Sequence, residues 1–231
     1  MFGKGFNFSE DGPGNRLVYH LSGCNMRCPW CSNPDGMDGK AGEDYTANEI
    51  LLEAISCKPM FFSGGGVTFT GGEASLWHAE LLPLLRELRR AGVHTAIETN
   101  GTSPYLPSLV EEVDYLIMDF KHYDGEALFA ATGVGVDGVK KNLESICQSG
   151  RQAHIRIPLI NGFNTEDPKG FAAYLSLHAH ENVVFELLPY HEYGKGKWKT
   201  PYTVKNGFVS EETLARFEET FEKCGLKLIR T

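Results

Sequence analysis

Two apolar rhythms alternate along this chain. Short, nearly continuous runs at Arg16–Ser22, Gly66–Thr70, Val93–Glu98, Tyr115–Phe120, Ala153–Pro158 and Val183–Leu188 read as strands. Runs of that kind belong to strands covered on both faces. Stripes at helical spacing lie between them. Thr46-x-x-Glu49 is a capping box that opens a helix whose stripe is Ile50, Leu51, Ala54 and Ile55. A second helix runs from about Ala79 to Ala91, with Pro83 in its first turn, Leu81, Leu84, Leu85 and Leu88 inward, and Gly92 at its end. Val139, Leu143, Ile146 and Cys147 mark a third, stopped by Gly150. Further helices are predicted over about Pro168–His178 and after the cap Ser210, with Leu214, Phe217 and Phe221 inward. Leu226–Ile229 reads as a terminal strand.

Strands alternating with helices imply a parallel α/β sheet. About six units are present, fewer than a closed eight-unit barrel of about 250 residues requires. The expected fold is an open, partial (β/α)6 barrel of the TIM type, with a doubly wound open sheet as the competing arrangement. In either, ligands gather at the carboxyl ends of the strands. No linker, repeat or low-complexity segment divides the chain, so a single domain over residues 1–231 is expected. Its landmarks are a loop at 22–34 after the first strand and a closing helix and strand at 210–230.

Composition narrows the function classes. A net charge of −8 over 231 residues argues against nucleic acid as the main partner, because phosphate binding needs a basic stripe. No apolar run approaches the roughly 18 residues of a spanning helix, and Met1–Ser9 lacks the pattern of a signal peptide. The expectation is a cytoplasmic protein with no membrane partner.

Six cysteines are present, and a chain of this length has no need of a disulfide framework. Cys57, Cys147 and Cys224 are scattered, whereas Cys24, Cys28 and Cys31 lie within eight residues as C-x3-C-x2-C directly after the first strand. Three close thiolates can hold three irons of a 4Fe–4S cubane and leave the fourth iron without a protein ligand. An open position is what a catalytic metal centre needs. The competing reading is a zinc knuckle completed by His20 or a distant residue; structural zinc favours paired C-x2-C units, and no second pair exists here.

That motif resembles the signature of the radical S-adenosylmethionine superfamily, and the surrounding sequence resembles its glycyl-radical-enzyme activating branch, the pyruvate formate-lyase activating enzymes in particular. The resemblance runs over most of the chain. Its landmarks are Asp11-Gly12-Pro13-Gly14 with Arg16, the cysteine loop, Gly64-Gly65-Gly66-Val67-Thr68 leading into Gly71-Gly72-Glu73-Ala74, Glu98-Thr99-Asn100-Gly101, Asp119-Phe120-Lys121, Arg156, and Leu188-Pro189-Tyr190-His191 with Gly194, Lys197 and Trp198.

The resemblance implies roles that the residues support to different degrees. Gly71 and Gly72 let a ligand approach the backbone, and the Glu73 carboxylate can accept from the cofactor's methionine ammonium; by itself the segment also reads as a tight turn with a solvated Glu. Lys121 is implied near the methionine carboxylate, although a charged pair with Asp119 after an apolar strand often marks only a solvated loop. Arg156, among Ile155 and Ile157, needs an anionic partner, which is the same carboxylate by resemblance or Glu98 or Asp119 as an internal ion pair. Trp30 and His191 are implied beside the cofactor, with His191 next to its adenosyl part. Asp11 matches the residue that meets the protein substrate, and otherwise reads as an Asx turn. A monovalent cation is implied at Glu98, Thr99 and Asp119, but relatives carry an aspartate at the Glu98 position, so reach and ligand geometry change here.

The implied reaction is reductive cleavage of S-adenosylmethionine by the cluster, followed by hydrogen abstraction from a glycine Cα of a partner glycyl radical enzyme. Flavodoxin or ferredoxin is the implied electron donor. Only Cys57 lies between the motif and the Gly-Gly-Glu turn, so one cluster is expected. Ser32 stands where the pyruvate formate-lyase activating enzyme has a histidine after its third cysteine, which argues against pyruvate formate-lyase itself as the partner and leaves the class of partner standing. Two rival readings are a radical enzyme for a small nucleoside or deazapurine-type molecule and a non-catalytic iron–sulfur or zinc protein.

Overall fold

The computed structural model describes residues 1–40 and 42–230. Seven strands are ordered β1 to β7 along one open, mostly parallel sheet: β1 (Gly3–Phe8), β2 (Asn15–Leu21), β3 (Gly66–Gly71), β4 (Thr95–Thr99), β5 (Tyr115–Asp119), β6 (Ala153–Leu159) and β7 (Val183–Pro189). The order follows the sequence. A doubly wound sheet reverses its strand order at a switch point, so the competing arrangement is excluded and the winding is that of a barrel. No helix among the described residues is long and apolar enough to cross a membrane.

Two compact units divide the chain. The first comprises Met1–Asn25, Asp35–Thr99 and Ser103–Ile117. It holds β1 to β4, β5 as far as Ile117, and the helices α1 (Ala47–Ser56), α2 (His78–Arg90) and α3 (Leu106–Glu112). The predicted capping box is present, with Thr46 Oγ1 accepting from Glu49 N and Glu49 accepting from Thr46 N. Leu81, Leu84, Leu85 and Leu88 are the buried face of α2. β1 is an antiparallel strand against β2 that the apolar pattern does not predict, since two of its six residues are glycines. The β2–β3 register sets Leu21 opposite Gly71, so the loops that leave both strands start side by side.

The second unit comprises Met26–Pro34, Asn100–Thr102 and Met118–Thr231. It holds the rest of β5, then α4 (Gly125–Thr132), α5 (Asp137–Gln148), β6, α6 (Pro168–Ser176), β7 and α7 (Glu211–Lys223). Its core is a chain of edge-packed rings: Phe171 meets Phe120 and Phe217, and Phe221 meets Phe185. These rings tie α6 to α7 and to the end of β5, and α7 to β7, and edge contacts of this kind add to the burial of the rings themselves. The terminal strand expected at Leu226–Ile229 is a single parallel bridge from Leu228 to Phe185.

Candidate active site

The first unit carries Cys24 and the residues from the ends of β2, β3 and β4. After β2 the chain turns at Gly23, and Gly23 N and Cys24 N donate to the carbonyls of Gly36 and Met37 at 2.6 and 3.1 Å. The Gly-Gly-Glu turn after β3 sits against that foot: Gly72 N donates to Leu21 O at 2.8 Å and Glu73 N to Gly23 O at 2.7 Å. A Cβ on Gly72 would stand 2.6 Å from Gly23 C and 2.8 Å from Gly36 O. The room opened by the glycines is therefore filled, on this side, by the chain's own backbone. They hold the turn against the root of the cysteine loop.

Glu73 is buried and caps the short 3-10 turn Ala74–Trp77. Its Oε1 accepts from Ser75 N at 3.0 Å, from Ser75 Oγ, and from Thr99 Oγ1 at 2.5 Å. The carboxylate is thus neither solvated nor loose. Thr99 spends its hydroxyl proton on Glu73, and Glu98 Oε2 accepts from Thr70 Oγ1 at 2.8 Å. Trp77 Nε1 closes the foot by donating to Ser22 O at 2.8 Å.

The Asp-Gly-Pro-Gly turn is braced from below by Arg16. Its guanidinium is fully buried and donates to Thr68 Oγ1 at 2.6 Å, to Pro13 O at 3.1 Å and to Val67 O. Burial lowers its pKa to about 10, which leaves it charged at neutral pH. Thr68 Oγ1 in turn donates to Asp11 O at 2.7 Å, and Asp11 Oδ2 accepts from Asn7 Nδ2 at 2.5 Å. Asn7 thus holds the Asp11 side chain, in place of the Asx turn that was the alternative reading.

The second unit carries Cys28 and Cys31 and the residues at the ends of β5, β6 and β7. Cys31 N donates to Cys28 O at 3.2 Å, and Asn33 N donates to Cys31 Sγ at 3.4 Å. Burial pushes the Cys31 thiol up, while the Asn33 N–H and the nearby Lys121 and Lys197 charges pull the other way. Cys24, Cys28 and Cys31 are all free of disulfides. Among the described residues no three His, Cys, Asp or Glu side chains form a group that could hold a single metal ion. A cubane takes its thiolates one per iron at separate corners, a different requirement from convergence on one ion. The donor set fits such a cluster: three reduced thiols in one short loop, one of them already given an N–H donor.

Lys121 is buried and its Nζ lies 2.5 Å from Asp119 Oδ2. Arg156 Nε pairs with Glu186 Oε2 at 3.2 Å, the residue opposite it in the β6–β7 register. Glu186 is thus an internal partner of Arg156 that the sequence reading did not name beside Glu98 and Asp119. Glu186 also stands 3.0 Å from His154 Nε2. The signal for it was in the sequence: a lone charge inside the apolar run of β7, in phase with the lone arginine of β6. Trp30 packs on Phe163 with ring centroids 4.5 Å apart, and His191 is exposed and stacked on Tyr193 at 4.2 Å. Ser75, Thr70, Glu186 and Phe163 are the site residues that sequence reasoning missed.

Comparisons with known proteins agree on the family. The model of the Radical SAM superfamily matches residues 18–175. The pyruvate formate-lyase-activating enzyme of Clostridium pasteurianum is 34% identical over 194 residues, covering 82% of this chain and 81% of that protein. The pyruvate formate-lyase 1-activating enzyme of Escherichia coli K12 is 32% identical over 194 residues, covering 81% and 79%. Among solved structures, a domain of a pyruvate formate-lyase-activating enzyme from Bacteroides vulgatus superposes with a TM-score of 0.60 at 26% identity, covering 72% of this chain and 98% of that one.

Proposed function

Because this chain belongs to the radical S-adenosylmethionine superfamily, whose members use a 4Fe–4S cluster and S-adenosylmethionine, we propose that it is the activase of a glycyl radical enzyme. The observation that carries the proposal is the 34% identity, over 82% of the chain, to an activating enzyme of that kind. Support comes also from where the expected residues fall. The cysteine loop, the Gly-Gly-Glu turn, Glu98-Thr99, Asp119-Lys121 and His191 all lie at or just past the carboxyl ends of strands, the ends at which α/β sheets bind ligands.

Cys24, Cys28 and Cys31 would hold the cluster. When bound, it supplies the electron that splits the sulfonium cofactor into methionine and a carbon-centred radical. The protein's task is to orient the cofactor and to exclude water and oxygen. The methionine ammonium is assigned to the Gly71-Gly72-Glu73 segment, where a fixed carboxylate offers a negative charge. Its carboxylate is assigned to Lys121 and Arg156. Their ion pairs with Asp119 and Glu186 hold both cations in place before ligand arrives. Trp30 and His191 are assigned to the adenosyl end. Asp11, on its braced turn, is assigned to the protein substrate, from whose glycine Cα a hydrogen atom passes to the 5′ carbon to give 5′-deoxyadenosine and a glycyl radical. A glycine suits that role because no side chain blocks an extended loop from entering.

Flavodoxin or ferredoxin would deliver the electron, and the proposed compartment is the cytoplasm, where thiols stay reduced. A monovalent cation is assigned to Glu98, Thr99 and Asp119; cofactor cleavage that rises with added potassium or sodium supports this, and cleavage indifferent to both removes it. The activase reading is tested by mixing reduced, reconstituted protein and cofactor with glycyl radical enzymes of several classes. The expected result is a glycyl radical signal in electron paramagnetic resonance on at least one of them. Cleavage that runs freely with small nucleosides, with no signal on any protein, would transfer the chain to the small-molecule enzymes.

A further inference from the structure

Gly194, Lys197 and Trp198 have no part in the chemistry assigned above, yet they lie on the residues that follow the third cysteine. After β7 the chain makes a short 3-10 turn at Lys195–Lys197, in which Lys195 N donates to Glu192 O and Lys197 N to Gly194 O, each at 3.0 Å. That turn delivers three contacts to one tripeptide. Trp198 Nε1 donates to Cys31 O at 3.2 Å. Lys197 Nζ donates to Ser32 O at 3.1 Å and to Asn33 Oδ1 at 3.2 Å. Gly194 is buried so closely against the loop that a Cβ on it would stand 2.5 Å from Ser32 Cα and 2.7 Å from Cys31 O. Two successive carbonyls and one side-chain amide of Cys31–Asn33 are therefore held from a single turn more than 160 residues away in sequence.

The next contact in line is the one to sulfur. Asn33, gripped through its side chain by Lys197, points its backbone N–H at Cys31 Sγ. Hydrogen bonds to cluster sulfurs, nearby charge and solvent exposure set the reduction potential of an iron–sulfur centre. Resting on the cluster reading above, we infer that Gly194, Lys197 and Trp198 form a positioning clasp that fixes the Cys31–Asn33 segment and raises the reduction potential of the cluster that Cys31 ligates. Lys197 acts in two ways. It orients the N–H donor, and its positive charge favours the reduced cluster, which carries one more negative charge. Trp198 acts in one way, by tying down the carbonyl of the ligand itself. Lys197 thereby favours acceptance of an electron from a weak donor, and Trp198 slows the escape of iron.

The test uses the full chain, reconstituted anaerobically with iron and sulfide, in wild-type form and as Lys197→Met, Lys197→Arg and Trp198→Phe. Midpoint potentials are read by redox titration followed by electron paramagnetic resonance, and iron release is timed with a chelator. Lys197→Met is expected to shift the potential to a more negative value, and the shift should shrink as salt rises, because Lys197 is exposed and its charge is screened. Lys197→Arg, which keeps the charge and the donors, is expected to restore the wild-type potential. Trp198→Phe keeps a ring in place but loses the N–H, and is expected to release iron several-fold faster. Unchanged potential in Lys197→Met together with unchanged iron release in Trp198→Phe would overturn the clasp while leaving the cluster reading intact. A wild-type chain that takes up no cluster would overturn both.

Discussion

Replacing Cys31 with alanine is expected to abolish cofactor cleavage and leave the fold standing. Enzymic acceleration is on the order of 10⁶-fold or more, and the whole of it should vanish, because in the proposed function the loss is of a cluster ligand rather than of an orienting contact. The fold should survive because the backbone of residue 31 makes the structural contacts. Its N–H donates to Cys28 O, and its carbonyl accepts from Trp198 Nε1; neither needs the sulfur. The side chain is only partly buried, and alanine fills most of its volume, so the stability change should stay within about 1 kcal/mol. Cys147 is the control. It is buried in α5 and its thiol is pushed up to about 11 by burial, so it is an inert packing residue. Cys147→Ala should keep its iron and its activity. Iron content, 5′-deoxyadenosine production and a thermal melt, measured on both variants, separate the two outcomes.

The second large effect is expected at Gly72. An alanine Cβ there would enter the Gly23 and Gly36 backbones at 2.6 and 2.8 Å, and none of those atoms belongs to a side chain that can swing aside. Relief requires the Gly-Gly-Glu turn to lift from the foot of the cysteine loop. That movement breaks the Gly72 N–Leu21 O and Glu73 N–Gly23 O hydrogen bonds. The expected cost is at the upper end of overpacking, about 3 kcal/mol or more, read as a lower midpoint in denaturant. Because Glu73 is buried and bonded to Ser75 and Thr99, the displacement should also weaken cofactor binding in whatever fraction remains folded. Gly64→Ala makes the comparison: that glycine has open space around its Cβ position, and only its φ of +84° resists the change.

Much of this molecule was legible from its sequence because the signals were local. The capping box at Thr46, the leucine face of α2, the Ser210 cap and the six parallel strands all follow from spacing, and they lie within a residue or two of the expected positions. β1 was hidden by its glycines, and its pairing with β2 is a long-range fact. α3 and α4 are seven and eight residues long, too short for a stripe to stand out. Strand order was undecided for the same reason: periodicity fixes what an element is and leaves open which neighbour it chooses.

The chemistry-bearing residues were marked by type and order, while their partners were not. Arg156 advertised its need for an anion, but Glu186 became its partner only through the β6–β7 register. Glu73 was implied as an acceptor for the cofactor ammonium, with a solvated carboxylate as the alternative, and it is a buried cap because Thr99 and Ser75 reach it. Gly71 and Gly72 pointed to the close approach of a ligand, and on one side what approaches is the chain's own backbone.

The proposed chemistry needs three thiolates that leave one iron open to the cofactor. The most direct measurement is the iron, sulfide and zinc content of anaerobically reconstituted protein, followed by quantification of methionine and 5′-deoxyadenosine after addition of S-adenosylmethionine and a strong reductant. The prediction is about four irons and four sulfides per chain, with both products formed in equal amount and neither formed by Cys31→Ala. Protein that holds zinc, or a cluster that leaves the cofactor whole under the same reductant, would contradict it.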